Sequence, residues 1–362
     1  MTTNRRDFLR TGAAVAVGLG ARSLAADSQQ STMPTARARA FMERFGLTTP
    51  IGNAGMGFFA TPELAIAVCE AGGLGAVGTG LTAVTQVVKD YVTRARAGTR
   101  RPFAVNFLLA AEPLALPIAL DAGAPIIQFA WGQPTREMIA AVRRAGAKMG
   151  IQVSSHIGAR QALDVGADYL ICQGTEAGGH VQAIAGLYEN LPRVVEEAAQ
   201  VPVLAAGGIA TGVHIRKALL AGASGVLIGT RFVATREAEG HEEWKNALVR
   251  AHSEDSVLTV CFQDGWANAP HGVLRNRTVE MWEAAGCPAP GKRPGEGDVL
   301  TTNPETGLVK RRYSIGAPRR ADRGAVLELP LYAGKGVGDV RDIPAAGKLV
   351  ARLWKECLTA KA

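Results

Sequence analysis

Cysteine is scarce and scattered in this 362-residue chain: Cys69, Cys172, Cys261, Cys287 and Cys357, with no pair at metal-ligand spacing. A cysteine-built zinc or iron–sulfur centre is therefore not expected. Cys69 and Cys172 lie in apolar segments and read as small buried residues. Cys261 and Cys287 are able to pair in an oxidising compartment, a question their spacing leaves open. Aromatic residues make up only 6%, and no basic stripe is interleaved with them. Nucleic acid is thus not an expected partner, despite a net charge of +8. No apolar run reaches bilayer length, which argues against stable membrane insertion. The Gly-x-Gly-x-x-Gly turn of an open dinucleotide-binding sheet is missing after the first predicted strand.

What is present suffices for a sizeable core: 47% hydrophobic residues, 20% charged, and 43 glycines that mostly end apolar runs. The N-terminus opens with Asn4-Arg5-Arg6-Asp7-Phe8-Leu9-Arg10, then a modest apolar run from Thr11 to Leu19, then Ala21-Arg22-Ser23-Leu24-Ala25-Ala26. Charged, apolar, then small residues is the layout of an export signal, and adjacent arginines before Phe-Leu resemble the twin-arginine type. We expect a signal over 1–26, engagement of the twin-arginine (Tat) export machinery and a periplasmic location; without use of the leader the protein is cytoplasmic. That route carries folded proteins, which fits a cofactor loaded before export. Removing the leader takes away +3 and leaves a mature charge of +5, a mildly basic surface compatible with a small anionic organic substrate. Residues 27–48 are expected to be a linker.

From Pro50 the chain alternates short apolar runs with amphipathic segments. Predicted strands begin at Pro50, Leu74, Pro102, Pro125, Lys148, Tyr169, Pro202 and Gly225, far enough apart for a helix and two loops between each pair. Helices are expected from Pro62 to Ala71 with Thr61 as N-cap, from Ala159 to Val165, from Val213 to Ala221, from His241 to His252 and from about Pro344 to Leu358. Eight β–α units predict an α/β fold of the closed (β/α)8 TIM-barrel type over 49–262. A smaller inserted cap is expected over 263–329, where the chain turns irregular. A glycine-rich loop and a helix over 330–362 then return to the barrel.

Polar residues gather where such barrels place their chemistry, at the C-terminal strand ends: Asn53, Asn106, Gln128, Gln152, Gln173 and the loop carrying His180. Strands seven and eight close on Ala206-Gly207-Gly208-Ile209-Ala210-Thr211-Gly212 and Ile228-Gly229-Thr230-Arg231. Glycines there expose backbone N–H groups to an anion, so a phosphate site is expected. Arg231 either joins that site or faces solvent. His180 follows two glycines in Gln173-Gly174-Thr175-Glu176-Ala177-Gly178-Gly179-His180. An imidazole titrating near neutrality suits a general base. His214, His241, His252 and His271 read as ordinary surface or core histidines.

These segments resemble the nitronate monooxygenase family, once called 2-nitropropane dioxygenases. The matching stretches are TPIGNAGMGFFATPELAIAVCEAGGLGAVGTG, PFAVNFL, GADYLICQGTEAGGH, PVLAAGGIATG, GVLIGTRF and LPLYAGKGVG. The resemblance implies FMN at the barrel mouth and oxidation of alkyl nitronates by O2 to carbonyl compounds and nitrite. It implies that Ala54, Gly55 and Met56 lie beside the isoalloxazine, and that Asn106, Gln152 and Gln173 bond the ring or ribityl chain. Gly178, Gly179, Gly207, Gly208, Gly229 and Thr230 would hold the ribityl phosphate or its surroundings, and His180 matches the catalytic histidine. No metal is implied. The chain departs from the family at Ala130, where relatives often carry a second histidine, and at Gln152, Leu227 and Lys335. Two alternatives stand beside this: an NAD(P)H-dependent quinone or enoyl-thioester reductase of the same superfamily, and a non-catalytic flavin-binding protein.

Overall fold

The computed structural model describes residues 33–81 and 84–360, so the expected signal over 1–26 lies outside the described residues. A helix α1 (Ala36–Phe45) precedes the first strand. The chain then runs β1 (Ile51–Asn53), α2 (Pro62–Glu70), β2 (Gly75–Gly78), α3 (Thr85–Gly98), β3 (Phe103–Leu108), α4 (Leu116–Asp121), β4 (Ile126–Ala130) and α5 (Arg136–Arg144). It continues with β5 (Lys148–Val153), α6 (His156–Asp164), β6 (Tyr169–Gln173), a short β7 (Gly179–His180), α7 (Leu187–Ala198), β8 (Val203–Ala206), α8 (Gly212–Leu220) and β9 (Gly225–Ile228). Leaving out β7, the eight strands form one parallel sheet in the order β1-β9-β8-β6-β5-β4-β3-β2. A parallel bridge between Gly52 and Leu74 joins its two edges and closes the barrel. Each strand begins within one residue of its expected start.

The local causes are plain. A parallel barrel strand is covered on both faces, so it reads as a continuous apolar run, as in the fully buried Ile-Ile-Gln-Phe-Ala of β4. Pro50, Pro102, Pro125 and Pro202 stand just before strands, where the missing donor costs no ladder bond. Thr61, Thr135, Ser155 and Thr211 cap α2, α5, α6 and α8, each hydroxyl accepting a first-turn N–H.

Helix α1 occupies much of the segment expected as a linker. Its polar residues face solvent, while Phe41 and Phe45 plug the N-terminal end of the barrel against Tyr169. Each such ring contributes roughly 1.5–3 kcal/mol by leaving water. The bottom is thereby sealed, and the open end is the one formed by the C-terminal strand ends.

After β9 come α9 (Thr230–Val233), α10 (Glu242–Arg250), β10 (Ser256–Thr259), β11 (His271–Leu274), α11 (Arg277–Ala284), β12 (Val299–Thr302), β13 (Val309–Arg311), β14 (Arg323–Gly324) and α12 (Ala346–Thr359). Strand β11 pairs antiparallel with both β10 and β7. The insertion is therefore stitched to the loop that carries His180, and its first paired strand begins at Ser256, ahead of the expected start at 263. A second sheet, β13-β12-β14, is held by buried ion pairs: Lys310 with Asp322, and Arg312 with Glu328. Cys261 and Cys287 are free thiols, the first buried and the second exposed. No helix among the described residues is long and apolar enough to cross a membrane.

Candidate active site

Strands β5, β6, β8 and β9 deliver Gln152, Gln173, Ala206 to Ile209 and Leu227 to Thr230 to one pocket at the open end of the barrel, with Ala54 beside them. Gly207 and Gly208 adopt φ of 119° and 67°, a region that L side chains rarely enter, so the turn after β8 requires glycine. Gly229 is different: a Cβ there would meet Ala54 and Met56 only at 3.8 and 3.9 Å, so its missing side chain leaves open space. The remaining wall comes from far along the chain. Gly334 donates its N–H to Thr230 Oγ1 at 3.0 Å, and Lys335 donates its N–H to the Glu176 carbonyl at 2.9 Å. Gly334 and Gly336 thus close the cradle opposite Gly178 and Gly208. No charged side chain lines the pocket among the described residues. Arg231 is neither in it nor in solvent: it is buried and paired with Asp342. Lys335 directs its ammonium to the Ser256 carbonyl at 2.6 Å, bracing the glycine loop.

The two glutamines are tied together by a third residue that the sequence reading passed over. Gln182 Oε1 accepts from Gln152 Nε2 and from the Trp131 N–H, both at 2.9 Å, while the Gln182 N–H donates to Gln173 Oε1 at 2.9 Å. A signal existed: Gln182 lies two residues past His180, the spacing that returns a side chain to the same face of an extended chain. Among the other expected residues, Gly55 packs on Asn106, where a Cβ would lie 2.4 Å from Asn106 Cβ. Met56 turns with φ 38° beside Gly229. Of this group Ala54 lines the pocket, whereas Gly55, Met56 and Asn106 are not among its lining residues. Gly179 does not line it; at φ 72° it starts β7 and pairs with Gly272.

His180 is half-buried, yet its Nε2 is fully covered and has no hydrogen-bond partner. Burial, aided by His271 at 5.3 Å between ring centroids, pushes its pKa down to about 3. His271 reads as the ordinary core histidine it was expected to be: Nδ1–H donates to the Ala269 carbonyl at 2.9 Å and Nε2 accepts the Phe262 N–H at 3.2 Å. Burial holds its pKa at about 4. Cys172 is no nucleophile, since burial pushes its thiol up to about 12.

Two neutral buried imidazoles carry a consequence for acid stability. The unfolded chain protonates them near pH 6.5, the folded protein only near 4 and 3. Their contribution is complete above pH 6.5 and is lost as pH falls toward those folded values, by up to about 1.4 kcal/mol per pH unit for each histidine. Urea midpoints should drop between pH 6.5 and 5, and less steeply in His180→Asn. Equal slopes in both proteins would show that His180 titrates normally in the fold.

An eight-stranded parallel barrel with a glycine cradle and a buried, unpartnered imidazole at its open end belongs to the oxidoreductase class of these barrels. The match to the family model described as nitronate monooxygenase runs over residues 39–118 and 114–356, and the chain belongs to that family. It is 26% identical over 369 residues to the nitronate monooxygenase of Paraburkholderia phytofirmans, covering 88% of this chain and 94% of that one. A Mycobacterium tuberculosis protein, (3aS,4S,5R,7aS)-5-hydroxy-7a-methyl-1-oxo-octahydro-1H-indene-4-carboxyl-CoA dehydrogenase, is 32% identical over 246 residues, 67% of each chain. The crystal structure of nitroalkane oxidase from Streptomyces ansochromogenes superposes with a TM-score of 0.69 at 30% identity, covering 88% of this chain and 97% of that one.

Proposed function

We propose that this protein is an FMN-dependent nitronate monooxygenase that oxidises alkyl nitronates with O2. The observation that carries the reading is the buried, unpartnered Nε2 of His180, placed just past the glycine cradle by β7. Such an atom is costly to leave unsatisfied and calls for a polar partner from a ligand. The cradle fits FMN: Gly207, Gly208, Gly229 and Thr230 frame an opening for a phosphate held by peptide N–H groups, with Gly178 against its wall. Gln152 and Gln173 present amides to a polar ring or ribityl chain, and Ala54, Gly55, Met56 and Asn106 form the adjoining side. When bound, FMN supplies the electron acceptor for the organic substrate and passes the electrons to O2.

The protein's own part is orientation and proton control. His180 is neutral at pH 7, so it offers an uncharged imidazole to a nitronate oxygen; an anion docked beside it favours its protonation. The insertion holds the His180 segment in place through the pairing of β11 with β7.

Anaerobic mixing of the purified protein with ethyl nitronate, and separately with NADH, tests the assignment. Flavin absorbance should bleach with the nitronate, return on admitting oxygen, and resist NADH. Bleaching by NADH alone would instead favour the reductase reading, to which the similarity to a CoA-thioester dehydrogenase and the absence of a histidine at Ala130 lend support. A protein that purifies without flavin would sink both.

A further inference from the structure

His180 is flanked by two tryptophans from distant parts of the chain. Trp266, in a turn of the insertion, stacks on the imidazole with ring centroids 4.3 Å apart and planes 19° from parallel. Trp131, just past β4, meets Trp266 edge-on at 4.6 Å and lies 6.3 Å from His180.

Both are held from behind. Trp131 has a left-handed backbone, φ 60°, which a bulky residue keeps only when its surroundings fix it. Gln182 supplies that restraint through the Trp131 N–H, at 2.9 Å. The turn bearing Trp266 is fixed by Asp264, whose carboxylate binds the buried Arg293 at 2.8 Å and whose N–H donates to the Tyr313 carbonyl at 3.0 Å. Neither indole N–H donates to any group of the described residues. Cations of the neighbouring loops are engaged elsewhere: Lys335 with Ser256, Arg231 with Asp342, and Arg293 with Asp264 and Glu296.

We propose that Trp131 and Trp266 are the docking wall for the organic body of the substrate, and that this substrate is a flat aryl nitronate rather than a short-chain or dianionic one. The inference rests on the nitronate reading of the same site. An aryl ring lies against an indole by stacking or edge contact, which an ethyl group cannot match. A second carboxylate on the substrate would find Lys335, Arg231 and Arg293 already engaged by other groups.

Redox-inert mimics separate binding from chemistry. Benzoate and acetate carry the same planar, two-oxygen anion as the nitronates and differ in the body. On the full chain as purified, calorimetry should give benzoate a Kd about tenfold below that of acetate. Trp266→Leu and Trp131→Leu should each remove most of that preference and leave acetate unchanged, while Trp266→Phe should restore it. Equal affinities in the unaltered protein, or a preference intact in both leucine variants, would overturn the wall. Phenylmethyl nitronate should likewise be turned over with a higher kcat/KM than ethyl nitronate. Benzoate preference without turnover of either nitronate would keep the wall and defeat the nitronate reading; turnover of both without preference would do the reverse.

Discussion

Replacing His180 with asparagine should lower kcat/KM for a nitronate by about 100-fold or more while leaving the flavin content of the purified protein unchanged. The two effects separate because the two halves of the site rest on different elements. The cradle is built by the ends of β8 and β9 and by the glycine loop at 334–336, and His180 is not among its lining residues. The backbone of His180 is fixed by pairing with His271 in β11 and does not depend on the side chain. What the substitution removes is the covered Nε2, which has no hydrogen-bond partner. The low pKa of about 3 adds a second expectation. A base that weak is poorly matched to removing a proton from carbon at neutral pH, so preformed nitronates should be far better substrates than the parent nitroalkanes. The sequence suggested an imidazole titrating near neutrality; burial, and after it the nearness of His271, lower it. Stopped-flow bleaching with both forms of one compound checks this. Unchanged rates in His180→Asn would remove the histidine from the mechanism.

Much of the barrel was legible because its physics is local. Parallel strands covered on both faces need no alternation, so their apolar runs stand out between proline and glycine. The cradle was legible for a related reason: Gly207 and Gly208 occupy φ values that demand glycine, which leaves a trace in the sequence. Helix α1 was hidden because only Ala38, Phe41 and Phe45 are buried, and arginines fill the rest of its surface. The insertion was hidden more deeply. Lys310, Asp322 and Arg312 read as solvated charge but are buried and paired, so no apolar period marks their segments. Trp266 gave no signal at all. It lies 86 positions after His180 in the chain, and only the β7–β11 pairing brings the two together.

Gly178→Ala should both destabilise the protein, lowering Tm by several degrees, and strip most of its flavin. A Cβ at 178 would stand 2.5 Å from the Gly334 nitrogen and 2.6 Å from the Ala333 carbonyl carbon. Both are backbone atoms, and they cannot rotate away. Gly334 meets the same limit from the other side, where a Cβ would lie 2.4 Å from the Glu176 carbonyl oxygen. The loops are also bonded together, Lys335 N–H to Glu176 C=O at 2.9 Å and Ala333 N–H to Gly272 C=O at 3.1 Å. Overpacking of this kind costs about 1–3 kcal/mol, and here the strain is relieved only by pushing Gly334 and Gly336 out of the cradle. Gly229→Ala is the matched contrast. Its φ of −99° suits alanine and the new methyl would find open space. Tm should therefore hold, and any loss of flavin would come from the methyl occupying the phosphate position. Differential scanning fluorimetry and the flavin-to-protein absorbance ratio read both variants. A stable, fully yellow Gly229→Ala protein would mean that the phosphate does not lie over β9, and a stable, fully yellow Gly178→Ala protein would mean that the glycine loop is not part of the cofactor site.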